Sequence, residues 1–288
     1  MPSPAPYDTL FIDEAQNRLV PLPTPNDIDG SGDLLYDSPS RRVVKIHHRF
    51  AIKFGIHVQP MEAKNMLFVA KSTTVPIPKV YAIYQVRETE GVSTFIVMQY
   101  LPGTTLQNLW DSMDHARKKS IARTLRTYFD ELRQLQHPGY FGNIEGGPLA
   151  DDMFTLTPGG KEIKKPFATE DELIKGIIRI YELETGERMA HKTRYYKHVL
   201  PTVLRGTRGP TFSHGDFQRK NVMVQPDGTI YIIDWEFASW YPDYWEYACA
   251  TFASGGWRDD WHEYVRMALD EFPNQSLWLS NMKIEMWS

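Results

Sequence analysis

Only one cysteine, Cys249, occurs in the 288 residues. That excludes an internal disulfide framework and every zinc site needing two or more thiolates, and it fits a reducing compartment. Long apolar runs are missing too, and none approaches the length of a membrane span. The opening stretch "MPSPAPYDTLFIDEAQNRL" lacks a basic segment followed by an apolar one. The expectation is a soluble cytoplasmic protein with no membrane partner. Neither sign of charge dominates: 32 basic and 36 acidic residues are mixed along the chain for a net charge of −4. Without a basic footprint, nucleic acid is a poor candidate partner. Repeats and heptads do not occur, so the organisation must be read from single elements.

What is present suits a globular protein. The length allows two lobes or one large domain and is ample for a full hydrophobic core. Residues 1–32 are rich in Pro, Asp and Gly and read as an irregular arm. The short runs "DLLYD", "RVVKI" and "FAIKFG", broken by "SPSR" and "HHR", read as three adjacent antiparallel strands. In "QPMEAKNMLFVAKST" the period changes. Pro60 suits a first helical turn, and Ala63, Met66, Leu67 and Ala70 make one apolar face. "VPIPKVYAIYQVRETEGVSTFIVMQYLPG" returns to strand character with "RETEG" as a hairpin turn. Residues 33–101 therefore read as a sheet of about five strands crossed by one helix.

"YLPGTTL" marks a boundary between lobes, with 102–288 as the second. "DHARKKSIARTLRTYFDELRQLQHPG" repeats Ile121, Leu125, Tyr128, Leu132 and Leu135 at helical spacing, closed by Pro138-Gly139. The polar, Gly/Pro-rich stretch 139–168 is too long for a bland connector, which leaves a functional loop or partial disorder. Thr169 with Glu172 three residues on has capping-box spacing, so a helix starts there.

The densest chemical signal is "FSHGDFQRKNVMVQPDGTIYIIDWEFASWYPDYWEY", residues 212–247. Phosphoryl transfer needs hard oxygen ligands for Mg²⁺, a carboxylate near the acceptor hydroxyl and a cation on the nonreacting phosphates. "HGDFQRKN" sets an asparagine five residues after an aspartate, the spacing of a kinase catalytic loop. Asp216 then accepts or orients the acceptor's proton, and the Asn221 amide oxygen ligates metal. "NVMVQPDGTIYIIDWE" reads as strand, Asp-Gly turn, strand, whose return brings Asp234 towards the loop as a second metal ligand.

This H-G-D-x-x-x-x-N followed by I-I-D-W-E resembles the aminoglycoside phosphotransferase and choline kinase-like family, and "DWEFASWYPDYWEY" resembles its fungal members. The resemblance spans most of residues 33–270. It implies an α+β, two-lobed protein-kinase-like fold, with a small antiparallel β-sheet lobe carrying one helix and a larger, mainly helical lobe. It further implies a phosphotransferase using Mg²⁺ and ATP or GTP. Lys53 in "FAIKFG" is similar to the family's phosphate-binding lysine, and Glu62 to its ion-pair partner. "FIVMQYLPG" looks like the strand and hinge against which adenine lies, with Gln99, Tyr100 and Leu101 as its hydrogen-bonding edge.

Departures from the pattern also carry expectations. No G-x-G-x-x-G joins the first strands. The turn "DSPSRR" stands there, with Ser38, Ser40 and Arg41 available to cover phosphates. Gln218 occupies the place of a protein kinase's phosphate-contacting lysine, and whether Arg219 or Lys220 substitutes is open. Gly215 replaces the arginine through which a phosphorylated activation loop acts, and "YPDYWEY" follows Asp234 too soon for a peptide-docking segment. A small-molecule acceptor is expected. Glu236, Trp240 and Tyr241 are its candidate contacts, in a neighbourhood where Asp243, Glu246, Asp259 and Asp260 add negative charge that would suit a cationic amine.

Bland readings stand beside these. Lys53 and Glu62 could be an ordinary strand lysine and a solvated helix acid. His214 is expected to brace the loop, Glu246 aligns with a loop-bracing acid, and Trp235, Trp240, Trp245, Trp257 and Trp261 are core packing by default. Two alternatives to the phosphotransferase stay open: an inactive kinase-like binding protein, and a site diverted to another nucleotide-dependent reaction.

Overall fold

The computed structural model describes residues 7–28, 32–89, 91–158, 161–253 and 259–287; Trp257 lies outside them. The chain divides into two compact units, Met1–Thr104 with Met223–Glu236, and Thr105–Val222 with Phe237–Ser288.

The first unit is built on six antiparallel strands: β1 (Tyr7–Ile12), β2 (Asp33–Ser38), β3 (Arg41–Ile46), β4 (Phe50–Gly55), β5 (Val80–Glu88) and β6 (Gly91–Gln99), in the order β1-β5-β6-β4-β3-β2. The sequence led to about five. The sixth, β1, falls in the stretch read as an irregular arm, which also forms the short helix Glu14–Leu19. A Pro-rich context hid β1, whose backbone groups are satisfied by pairing along β5.

Period 2 sorts the side chains of β4. Phe50, Ile52 and Phe54 pack with Ile46, Tyr84, Phe95 and Val97 in one core. Ala51 and Lys53 therefore point to the other face. There the helix Pro60–Ser72 begins with Pro60 in its first turn and buries Glu62, Ala63, Asn65, Met66 and Val69. The expected apolar face is thus rotated: Ala70 is exposed and Leu67 half-buried, because the inner stripe also carries the polar Glu62 and Asn65.

The strands Val222–Val224 and Ile230–Ile232 flank the expected Asp-Gly turn, in which Gly228 has φ +89° and donates to the Gln225 carbonyl. Ile232 N–H then bonds to the Pro76 carbonyl at 3.1 Å, fixing the end of this hairpin within the first unit.

The second unit is mainly helical. Helix His115–Leu132 buries Ile121, Ala122, Leu125, Phe129 and Leu132. It is capped by Asp114 and stops before Pro138, so Leu135 lies beyond it and Phe129 replaces Tyr128 on the inner stripe. Thr169 accepts from the Glu172 amide and Glu172 reaches back to Ala168 N–H, opening helix Glu170–Thr185 as expected. That helix meets Phe154, Phe167, Tyr196, Leu200, Tyr241, Trp245 and Met282 in the main core. Phe141 pairs with Phe167 and Gly142 with Trp240, so the stretch 139–168 is anchored at both ends.

Ile177 is fully buried in this core. Ile177→Ala is expected to lower the unfolding free energy by about 2–5 kcal/mol in urea titration. A loss under about 1 kcal/mol would mean that this helix does not carry the core.

Candidate active site

In the first unit four charged groups meet. Lys53, 5% exposed, places its ammonium 2.7 Å from Glu62 Oε2, 2.6 Å from Asp234 Oδ1 and 3.7 Å from Glu236 Oε2. Burial works against the Lys53 charge, but the three carboxylates outweigh it and raise its pKa. Burial pushes the Glu62 carboxyl up, with Asp234 and Glu236 adding to the effect while Lys53 pulls it down. One ammonium, with the Arg41 guanidinium at Glu236, faces three acids and leaves one negative charge over. Oxygens of Glu62, Asp234 and Glu236 lie within 4.8 Å of one another, a hard donor set of the kind Mg²⁺ takes. The residues fit that ion.

Local structure holds this cluster. Asp234 has φ +66°, a left-handed conformation uncommon outside glycine and one that Asp and Asn tolerate best. Asn65 donates to the Trp235 carbonyl at 3.0 Å, and Trp235 Nε1 donates back to Ile232 at 3.0 Å. Glu236, expected at the acceptor, instead belongs to this cluster. It takes Arg41 Nη1 at 2.8 Å and so draws in the turn expected to cover phosphates. Within that turn Ser38 Oγ donates to the Arg41 carbonyl at 3.0 Å. The Ser40 carbonyl accepts from His57 and crowds Gly55, where a Cβ would lie 2.3 Å away at φ +142°. On the expected adenine edge, Gln99 N–H donates to Lys79 and Tyr100 N–H to Arg49. The Leu101 backbone is the part of that edge left by these two bonds.

In the second unit the loop after strand Thr211–Ser213 surrounds Asp216. Asn221 Nδ2 donates to Asp216 Oδ2 at 2.7 Å and to its carbonyl at 2.9 Å, Gln218 Nε2 donates to Oδ1, and Lys220 Nζ lies 3.3 Å from Oδ2. With its amide nitrogen turned to Asp216, Asn221 keeps its oxygen as a ligand atom. Arg219 is committed elsewhere: it pairs with Asp259 and lies over the Trp110 and Trp261 rings at 5.1 and 5.9 Å. Lys220 is therefore the loop cation beside the carboxylate. Buried Glu246 accepts His214 N–H at 2.6 Å and Gly215 N–H at 3.3 Å, and His214 Nδ1 accepts Asp216 N–H at 3.2 Å. Burial raises the Glu246 pKa against the opposing pull of His214 and these amides.

A cavity of about 360 Å³ adjoins Asp216, lined also by Asp151, Cys249, Phe252, Lys283 and Trp287. No sequence signal singled out Asp151 or Lys283; they are 132 positions apart and meet only in the fold. Trp240 and Tyr241, expected to contact the acceptor, are 3% and 0% exposed. Trp240 packs edge-on to Phe212, and Tyr241 stacks on Trp245 while its hydroxyl donates to Phe237. Both side chains are spent on packing, and the cavity wall beside them is made by other residues.

Glu246→Ala strands two backbone N–H groups and is expected to cost about 2–4 kcal/mol in denaturant titration, with Glu246→Gln recovering at least half. Equal stability of wild type and Glu246→Ala would remove the bracing role.

A family model described as the phosphotransferase enzyme family matches residues 34–273. No curated protein matches. Among solved structures the chain resembles the aminoglycoside phosphotransferase APH(4)-Ia (15% identity, 89% of this chain and 82% of that one, TM-score 0.59). It also resembles APH(2'')-Ib bound to ADP (17%, 94% and 84%, TM-score 0.54). A third similar structure is APH(2'')-IIa in a complex with streptomycin and ATP (14%, 94% and 84%, TM-score 0.53). These likenesses show the protein-kinase-like fold. No helix among the described residues is long and apolar enough to cross a membrane.

Proposed function

Because this chain belongs to the phosphotransferase enzyme family and is a small-molecule phosphotransferase, we propose that it transfers the γ-phosphoryl group of ATP or GTP to a hydroxyl of a small acceptor, with Mg²⁺. The observation that carries the reading is Asp216, a carboxylate held by three neighbours in the wall of a cavity large enough for a small metabolite. A hydroxyl seated there gives its proton to Asp216 as its oxygen bonds to the phosphorus and the bond to the leaving nucleoside diphosphate breaks. Lys220 and Asn221 keep that carboxylate oriented.

In the first unit Lys53 is the proposed phosphate ligand, oriented by Glu62. There Asp234 is a proposed metal ligand, with Glu236 as a further oxygen donor; in the second unit Asn221 is proposed as a metal ligand. When bound, Mg²⁺ would neutralise phosphate charge. The turn at 38–41 is proposed to cover phosphates through Ser38, Ser40 and Arg41, with the adenine edge at Gln99, Tyr100 and chiefly Leu101. ATP or ADP accompanies two similar structures and GDP another, which supports a purine nucleotide as donor.

Thermal-shift titration is expected to show ATP stabilisation that depends on Mg²⁺ and disappears in Asp234→Ala. Metal-independent stabilisation, or none, would favour a binding protein without turnover. Asp216→Asn is expected to reduce turnover about 10²–10⁴-fold with nucleotide affinity unchanged. Unchanged turnover would remove Asp216 as the base.

A further inference from the structure

Glu236 can serve as an ion-pair partner or as an oxygen donor to a cation, and Arg41 bears on which. One of its carboxylate oxygens takes Arg41 Nη1 at 2.8 Å, while the other lies 3.7 Å from Lys53 Nζ. The Lys53 ammonium is closer to Glu62 and Asp234, at 2.7 and 2.6 Å. Arg41 is therefore the nearer cation to Glu236. The same carboxylate belongs to the set of three acids whose oxygens suit Mg²⁺. With Arg41 in place, one donor of that set is occupied by a hydrogen bond and a fixed positive charge stands beside it.

The contact can be exchanged at little cost. It is a single hydrogen bond from Nη1, with the Arg41 side chain 30% exposed, and an ion pair partly open to water is weak. A phosphate group offers the guanidinium two oxygens at once, in the parallel geometry that makes its strongest hydrogen bonds. The backbone need not move. Arg41 pairs with Ser38 across the hairpin of β2 and β3, and Ser38 Oγ donates to its carbonyl at 3.0 Å. Only the Arg41 side chain has to turn. The other cations of this hairpin are engaged away from the cluster, Arg42 with Asp37 at 2.8 Å and Lys45 with Asp33 at 2.7 Å.

Resting on the reading of this cluster as the site for phosphates and Mg²⁺, we propose that Arg41 is a specificity-determining residue that makes the site take metal and nucleotide together. Arg41 holds Glu236 and so disfavours the free ion. Nucleotide phosphates draw the guanidinium away, and Glu236 is released as an oxygen donor. With Arg41 turned away, the Lys53 ammonium faces Glu62, Asp234 and Glu236 without a second cation, and the cluster is more negative by one charge. Binding of either ligand then favours binding of the other, since such coupling is reciprocal.

Calorimetric titrations of Mg²⁺ alone and of Mg-ATP into wild type, Arg41→Ala and Arg41→Ala/Glu236→Gln test this without turnover. Arg41→Ala is expected to bind Mg²⁺ alone at least about tenfold more tightly than wild type, and the added Glu236→Gln is expected to cancel that gain. Mg-ATP is expected to bind Arg41→Ala at least about threefold more weakly than wild type, because a phosphate contact is lost. A residue that only supported the fold would not strengthen binding of the ion when removed. If Arg41→Ala does not fold, Arg41→Met, which keeps the apolar stem, carries the same comparison. Equal Mg²⁺ affinities, or no Mg²⁺ binding by either protein, would overturn the inference, as would Mg-ATP binding to the variant as tightly as to wild type. These outcomes leave the phosphotransfer reading standing as long as wild type binds Mg-ATP. Failure of wild type to bind Mg-ATP would sink that reading and the inference with it.

Discussion

A buried ammonium among three carboxylates organises the first unit. Lys53 cannot be desolvated alone, so β4 can point it inward only if Glu62, Asp234 and Glu236 come to meet it. That requirement rotates the helix Pro60–Ser72 until an acid and an amide lie on its inner stripe, where period alone suggested alanine and leucine. It accounts for the left-handed backbone of Asp234, held by Asn65 and the Trp235 indole on either side of it. It also draws Arg41, and the turn carrying it, to Glu236. The surplus negative charge that results would suit a bound Mg²⁺ ion.

The second unit is arranged around the positioning of one carboxylate rather than around charge balance. Glu246 and His214 fix the backbone on either side of Gly215, whose φ of +82° brings it so close to Phe237 that a Cβ would sit 2.8 Å from the carbonyl oxygen. Gln218, Lys220 and Asn221 then converge on Asp216. Arg219, between Lys220 and Gln218 in sequence, turns outward to Asp259 and two tryptophans. Adjacent residues of like charge thus have unlike tasks.

Motif spacing made the order of these parts legible, because HGD, the asparagine and IIDWE stand close together in the chain and their neighbours are local. Strand and helix periods located β2 to β6 and the main helices. What stayed hidden depends on partners distant in sequence. β1 reads as a loop until β5 supplies its hydrogen bonds. Trp240 and Tyr241 look like ligand contacts until Phe212 and Trp245 cover them. Asp151 and Lys283 carry no mark of their own, and only the fold brings the stretch 139–168 and the last helix to one cavity. The acids clustered after Asp234 suggested an amine partner by count. In the fold Asp243, Glu246, Asp259 and Asp260 are hydrogen-bonded within the chain, which a count of charges does not show.

In the proposed reaction the Lys53 cluster receives the phosphates of a magnesium nucleotide. Calorimetric titration of Mg-ATP into Lys53→Met tests it directly, against wild type and against EDTA-treated wild type. The variant is expected to bind Mg-ATP at least about tenfold more weakly than wild type. Unchanged affinity would contradict it.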